Sequence, residues 1–432
     1  MSTVLNKLGA LEAARLLNRR ELSAEQLIRA CLARIEQREP HVQAWVTLNA
    51  EAAIAQAQVL DRGPVRGVLH GLPLGVKDIF DTHDLPTRYG SSIYEHHQPD
   101  ADAACVALCR DEGVVVPGKT VTTEFATYTP GPTHNPRNLA YTPGGSSSGS
   151  AAAVADDMVP LALGTQTAGS IIRPAAYCGV VGFKPSFGRV PRAGMKNLSD
   201  SLDTIGGFAR SVEDVGLLAS VLMRDPRLLK LDYDGKPRIG MFRSQQWRHT
   251  QPESRTAFEH AARVLSAAGA HVQDMPPPDE DCMVVQLHAD IMSFEAAMSL
   301  AFERRMHGAQ LSMKLQAVLD AGAGISAEKY LTLRQHAARI CARIDTWFDD
   351  YDILLAPSAA GEAPFYEQGT GDPQFCRGWT LAGVATVHLP FAQGPQGLPV
   401  GLQAIGRAHD DHRLLSIANW VQGVLAEQPP EM

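Results

Sequence analysis

Residues 142–187 read TPGGSSSGSAAAVADDMVPLALGTQTAGSIIRPAAYCGVVGFKPSF. Two glycine- and serine-rich loops, around Ser146 and around Ser170, flank a single apolar segment. Such loops let backbone N–H groups close around an anion, because no Cβ stands in the way. A serine at a loop tip offers a hydroxyl, but a free serine hydroxyl is a poor nucleophile and needs a neighbouring base. Residues Ser150–Ala155 should open a helix whose N-terminus faces the first loop, where its N–H groups favour developing negative charge. Val159–Leu163 reads as a strand, with the second loop, Gly164–Arg173, at its end. The rest of the chain must supply a base, a pocket and a scaffold.

Upstream, the segment Gly71–Phe80 (GLPLGVKDIF) is a short apolar strand with Lys77 near its end. A lysine among residues of buried type is unusual, since an ammonium is rarely buried without a partner. It could pair with Asp78 or reach solvent along its own stem. If desolvated, it would lose its proton more readily and could act as a base. Before it, residues 5–60 read as helices. Ser23 and Gln26 form a capping box, Ile28, Cys31, Leu32 and Ile35 follow at helical spacing, and Pro40 should stop the run. Glu51–Leu60 is Ala-rich and helical. Residues 1–60 thus look like a brace or a contact between two copies, giving a homodimer as one expectation. Residues 102–112 should form an amphipathic helix and Gly113–Pro117 a buried strand.

Downstream, residues 211–223 read as a helix. Arg238–Phe242, Ser254–Ala268 and Ala270–Val272 suggest a strand–helix–strand unit. Residues 283–348 are mostly helical, with an Ala/Gly-rich break at 320–325. Asp352–Pro357, Ala385–Pro390 and Gly397–Gln403 supply the last strands, and His412–Leu425 a closing helix. Strands interleaved with helices argue for an α/β protein, a single compact domain with a central mixed sheet surrounded by helices.

Composition narrows the function classes. The 432 residues carry a formal charge of −8, which gives no support for nucleic-acid binding by the whole chain. No run approaches the ~20 apolar residues of a membrane span, and the N-terminus lacks a charged-then-apolar leader pattern, so the expected location is the cytoplasm. The seven cysteines are scattered without zinc-ligand spacing, as expected of reduced, buried thiols.

Gly144–Ser150 (GGSSSGS) followed by Gly164–Ala175 (GTQTAGSIIRPA) resembles the amidase signature family. The resemblance extends to GLPLGVKD (71–78), TEFA (123–126), CGVVGFKPSFGRV (178–190), SLDTIGGFARSVED (201–214) and GLPVGLQ (397–403). It covers most of the chain, as a signature core over 67–215 and a C-terminal part over 351–432, around a variable middle at 220–350. It implies hydrolysis of a small amide to an acid and ammonia or an amine, through a Ser–cis-Ser–Lys triad and with no metal or organic cofactor. Ser170 matches the nucleophile, Ser146 the bridging serine of a cis peptide, and Lys77 the lysine. The separation, 170 − 146 = 24, selects Ser146 over Ser147 and Ser148. The N–H groups of Thr167, Ala168, Gly169 and Ser170 would form an oxyanion hole.

Two departures bear on the substrate. Many members carry Asp where Gln166 stands and Gly where Ala168 stands, which places Gln166 among candidate substrate ligands. The order Ser170-Ile171-Ile172-Arg173 shifts the family arginine by one place. Arg173 could therefore pair with a substrate carboxylate and favour half-amides of dicarboxylic acids, or it could bond loop carbonyls. Other readings are a urea-like substrate of the biuret or allophanate type, the glutamine-hydrolysing subunit of a tRNA-dependent amidotransferase, and a non-catalytic scaffold. The presence of all three triad positions argues against the scaffold. Histidines 70, 83, 134, 388 and 412 show no usable spacing to Asp or Ser for a Ser-His-Asp triad.

Overall fold

The computed structural model describes residues 4–275 and 281–428. Its strands are β1 (Trp45–Leu48), β2 (Leu74–Lys77), β3 (Gly118–Thr120), β4 (Leu161–Gln166), β5 (Val181–Lys184) and β6 (Thr204–Ala209), then β7 (Arg238–Phe242), β8 (His271–Met275), β9 (Ile353–Pro357), β10 (Thr386–Gln393) and β11 (Pro399–Ile405). They form one eleven-stranded sheet in the order β1-β3-β2-β4-β6-β5-β10-β11-β9-β7-β8.

The sheet is mixed. β2 runs parallel to both β3 and β4, and β7 runs parallel to β8 and β9. The strands from β4 through β6, β5, β10 and β11 to β9 pair antiparallel. Every residue of β2, β4 and β9 is buried, as continuous apolar runs covered on both faces by helices require. The molecule is one compact α/β domain. Among the described residues no helix is long and apolar enough to cross a membrane.

The parallel centre places the site. β2 and β4 carry Lys77 and Gln166 at their C-terminal ends, so both chains deliver their next residues to one edge of the sheet. The helix Ser148–Ala155 packs against these strands and is wholly buried. Gly149 within it has no alternative, since a Cβ there would lie 2.2 Å from the Ala44 carbonyl oxygen and 2.3 Å from the Val121 nitrogen. Gly144 takes φ +81°, where an L side chain is strained.

Several expectations shift. The capping box at Ser23 is present, but Pro40 does not stop its helix, which runs to Val42. A proline forfeits only its own N–H near a helix end. The chain turns just after Val42, where Gln43 adopts φ 53° and donates its N–H to the Glu39 carbonyl. The N-terminal region is not purely helical, because Trp45–Leu48 pairs with β3 as an edge strand. Residues 113–117 make only a bridge, Pro73 to Val115, and the ladder falls on Gly118–Thr120. The strand–helix–strand unit is present as β7, the helix Pro252–Ala267 and β8. The middle forms helices Asp281–Ser299, Ala301–His307, Met313–Ala323 and Ala327–Trp347. Six cysteines are free thiols; the side chain of Cys282 lies outside the described residues.

Candidate active site

The first serine loop enters the site through a cis Gly145–Ser146 bond. Ser146 is fully buried, and its Oγ lies 2.7 Å from Lys77 Nζ. Lys77 Nζ lies equally close to Thr165 Oγ1, at 2.7 Å, a partner not singled out from the sequence. No carboxylate lies within ion-pairing distance of Lys77 among the described residues; burial lowers its pKa to about 7, with Asp203 opposing the shift weakly. The neighbouring lysine differs. Lys119, equally buried, pairs with Asp78 at 3.1 Å and donates to Phe80 O and Thr87 Oγ1. Lys184 is also fully buried with its pKa lowered to about 8, but it donates to the backbone carbonyls of Pro185 and Val384, whereas Lys77 faces a serine hydroxyl.

Ser147 and Ser148 spend their hydroxyls on backbone. Ser147 Oγ donates to Thr165 O at 3.2 Å, and Ser148 Oγ to Val121 O at 3.4 Å. The hydroxyl of Ser170 makes no hydrogen bond among the described residues. It opens into a cavity of no more than ≈ 320 Å³ shared with Ala126, Thr127, Tyr128, Thr167, Ala168, Arg173, Leu198, Met292 and Pro373. Residues 125–135 contribute Tyr128, residues 366–380 contribute Pro373, and the variable middle contributes Met292. A wider groove outside also touches Tyr128 and Pro373.

The second loop is held from behind. Thr167 Oγ1 donates to Asp203 Oδ1 at 2.5 Å, while Leu198 and Ser199 donate their N–H groups to Asp203 Oδ2. Gln166, read from sequence as a candidate substrate ligand, spends its amide on the loop behind. Its Oε1 accepts from Ile171 N and Ile172 N at 2.9 and 3.0 Å, its Nε2 donates to Thr380 Oγ1, and it does not line the cavity. Among the described residues the N–H groups of Ala168, Gly169 and Ser170 meet no acceptor.

Arg173 takes the second of its two expected roles, bonding a loop carbonyl, and keeps donors unspent. Its Nη2 donates to Gly145 O at 2.7 Å, yet Nε and Nη1 are buried with no hydrogen-bond partner among the described residues. The side chain is 3% exposed and lines the Ser170 cavity. A Ser–His pair does exist elsewhere: Ser358 Oγ lies 2.7 Å from His388 Nδ1. Both residues are buried, and His388 Nε2 meets no partner, so no carboxylate orients that ring.

The Amidase family profile matches residues 26–415, and the chain belongs to that family. The glutamyl-tRNA(Gln) amidotransferase subunit from Roseiflexus sp. (strain RS-1) is 34% identical over 98% of this chain and 97% of that one. A crystal structure of an amidase superposes with a TM-score of 0.89 at 32% identity, covering 96% of this chain and 99% of that one. The native peptide amidase from Stenotrophomonas maltophilia gives 0.86 at 28% identity, with 98% of each chain covered. The protein is an amidase, an enzyme that hydrolyses amide C–N bonds.

Proposed function

We propose that the enzyme hydrolyses half-amides of short dicarboxylic acids through an acyl-enzyme on Ser170. Neutral Lys77 takes a proton from Ser146, which takes one from Ser170 as its Oγ attacks the amide carbon. The oxyanion is received by the N–H groups of the 167–170 loop. The relay returns a proton to the nitrogen, ammonia leaves, and water deacylates the ester by the same path. The support for the relay is the 2.7 Å Lys77–Ser146 distance and the lowered lysine pKa.

One observation carries the substrate class: the guanidinium of Arg173 is buried on the cavity with two donor atoms unspent. A buried cation without a counter-charge is costly, and a substrate carboxylate supplies the missing charge and acceptors. Arg173 and Ser170, three residues apart in the chain, line one tight cavity, so the two carbonyl groups of the substrate are close together. The cavity lining holds no acidic side chain; Asp372, whose charge acts on Arg173, lines the groove outside. Malonamate and succinamate should exceed propionamide and butyramide in kcat/KM by about 10²–10³, the worth of a desolvated charge pair. Equal rates on charged and neutral amides, or a preference for glutamine, would overturn the substrate class.

The amidotransferase-subunit reading retains one supporting feature. Met298, Phe302, Met306, Met313 and Leu331 are each at least 60% exposed on the helices of the variable middle, a face that another protein chain could cover.

The acidic limb of the pH profile follows from Lys77. Its neutral form is the base and its pKa is about 7, so kcat/KM should rise with pH and reach half its plateau near pH 7. A pH–rate series checks this; a limb centred near pH 4, where carboxylates titrate, would assign the base elsewhere.

A further inference from the structure

The oxyanion loop is gripped by its carbonyls from two distant parts of the chain. His288 Nε2 lies 2.8 Å from the Thr167 carbonyl oxygen, and Thr380 Oγ1 donates to the Ala168 carbonyl oxygen at 2.9 Å. In a trans peptide the C=O and the N–H of one unit point in opposite directions. The Thr167 carbonyl shares its plane with the Ala168 N–H, and the Ala168 carbonyl with the Gly169 N–H. Fixing the two carbonyls against the protein therefore aims the two N–H groups away from it, toward the Ser170 cavity. A peptide that accepts through oxygen also donates more strongly through nitrogen.

We propose that His288 and Thr380 are positioning residues that orient and polarise the oxyanion-hole peptides at Ala168 and Gly169. Hydrogen-bond logic sets the direction at each. A carbonyl can only accept, so His288 carries its proton on Nε2, and Nδ1 is the buried atom without a partner. Burial and the Arg377 cation hold the His288 pKa down at about 3, so the ring stays neutral wherever the enzyme works. Gln166 has its Oε1 committed to Ile171 N and Ile172 N, so its NH₂ must face Thr380 Oγ1, 3.0 Å away. That leaves the threonine proton to be donated onward to Ala168 O, with Cys376 O as a longer second acceptor at 3.2 Å. Both braces lie fully buried, in helices Asp281–Ser299 and Arg377–Leu381, behind the loop. The role exists only in the transition state, when the carbonyl oxygen gains charge, and it should appear in kcat rather than in KM.

The proposal rests on Ser170 as nucleophile, and the test separates the two. His288→Met removes the N–H at similar volume, and His288→Gln restores a donor near Nε2. Each is assayed for kcat and KM on a half-amide, and for the second-order rate at which a small alkyl fluorophosphonate labels Ser170. In that reaction Ser170 Oγ bonds phosphorus and displaces fluoride, placing a P–O oxygen in the oxyanion hole. His288→Met should lower kcat and the labelling rate together, about 10–100-fold, since losing one whole oxyanion donor costs about 10²–10³. KM should stay within about three-fold, the pH limb near 7 should not move, and His288→Gln should recover most of the loss. Should His288→Met fail to fold, Thr380→Val with Thr380→Ser as rescue carries the same test. Unchanged rates in the donor-less variants, or equal losses in the donor-less and rescue variants, overturn the proposal. Wild type left unlabelled at Ser170 overturns the nucleophile assignment instead.

Discussion

Lys77→Met should slow ammonia release about 10⁴-fold, the upper range of a lost general base. The same substitution should relieve the protein of a pH-dependent cost. Lys77 is fully buried and lacks an ion-pair partner among the described residues. Its pKa in the folded state is about 7, against about 10.4 for an unfolded lysine. Between those values the unfolded chain binds more protons than the folded one, so wild-type stability rises with pH across the window. The cost of the lysine is complete below pH 7 and absent above about pH 10.4. Methionine has no proton to lose. Its stability relative to wild type should therefore be greatest at acid pH and decline from pH 7 toward pH 10, by on the order of a few kcal/mol. The orphaning of Ser146 Oγ and Thr165 Oγ1 costs the variant the same at every pH and drops out of that comparison. Denaturant titrations of both proteins at pH 6 and near pH 10 read it directly. A stability difference that does not change with pH would mean that Lys77 is charged in the native state.

The second large effect is on substrate choice. Arg173→Met should lower kcat/KM for malonamate or succinamate about 10³-fold, as when one partner of a desolvated charge pair is removed. Arg173 also holds the Gly145 carbonyl beside the cis bond through Nη2, so part of any loss will be shared by all substrates. The neutral amides measure that shared part. The preference for charged over neutral amides should collapse to about one, because methionine offers neither charge nor donors. Arg173→Lys should restore only a fraction, since an ammonium cannot reproduce the guanidinium fork. A preference that survives in Arg173→Met would place the carboxylate site elsewhere in the cavity.

Local patterns were readable where they were strong. The capping box at Ser23, the strand–helix–strand unit through β7 and β8, the fully apolar β9, and the paired serine loops all follow from spacing and composition. The failures have physical causes. β6, TIGGFA, drew no strand assignment, because glycines weaken strands, yet a Cβ on Gly206 would sit 2.1 Å from the Phe183 carbonyl oxygen. There glycine marks close approach of β5 rather than a break. β1 lies between two Ala-rich helices and is set by its tertiary partner β3, which no local signal announces. For the candidate site, ordered motifs singled out Ser146, Ser170 and Lys77, of which the structure joins Lys77 and Ser146 by a hydrogen bond. His288 and Thr380 were not singled out, because each meets the oxyanion loop from 121 and 212 residues away along the chain. Thr165 could have been found: it lies within GTQTAGS, on the strand beside Lys77. Gln166 was singled out, but the direction of its amide, toward the loop and Thr380, depends on a residue remote in sequence.

The central claim is that amide cleavage proceeds through an ester on Ser170. Turnover of a good half-amide should be quenched in acid within milliseconds to seconds and the digest examined by mass spectrometry. The account predicts an acyl adduct on the peptide carrying Ser170 in wild type, with neither adduct nor ammonia release in Ser170→Ala. An adduct on Ser146 or Ser147, or ammonia release that persists in Ser170→Ala, would contradict it.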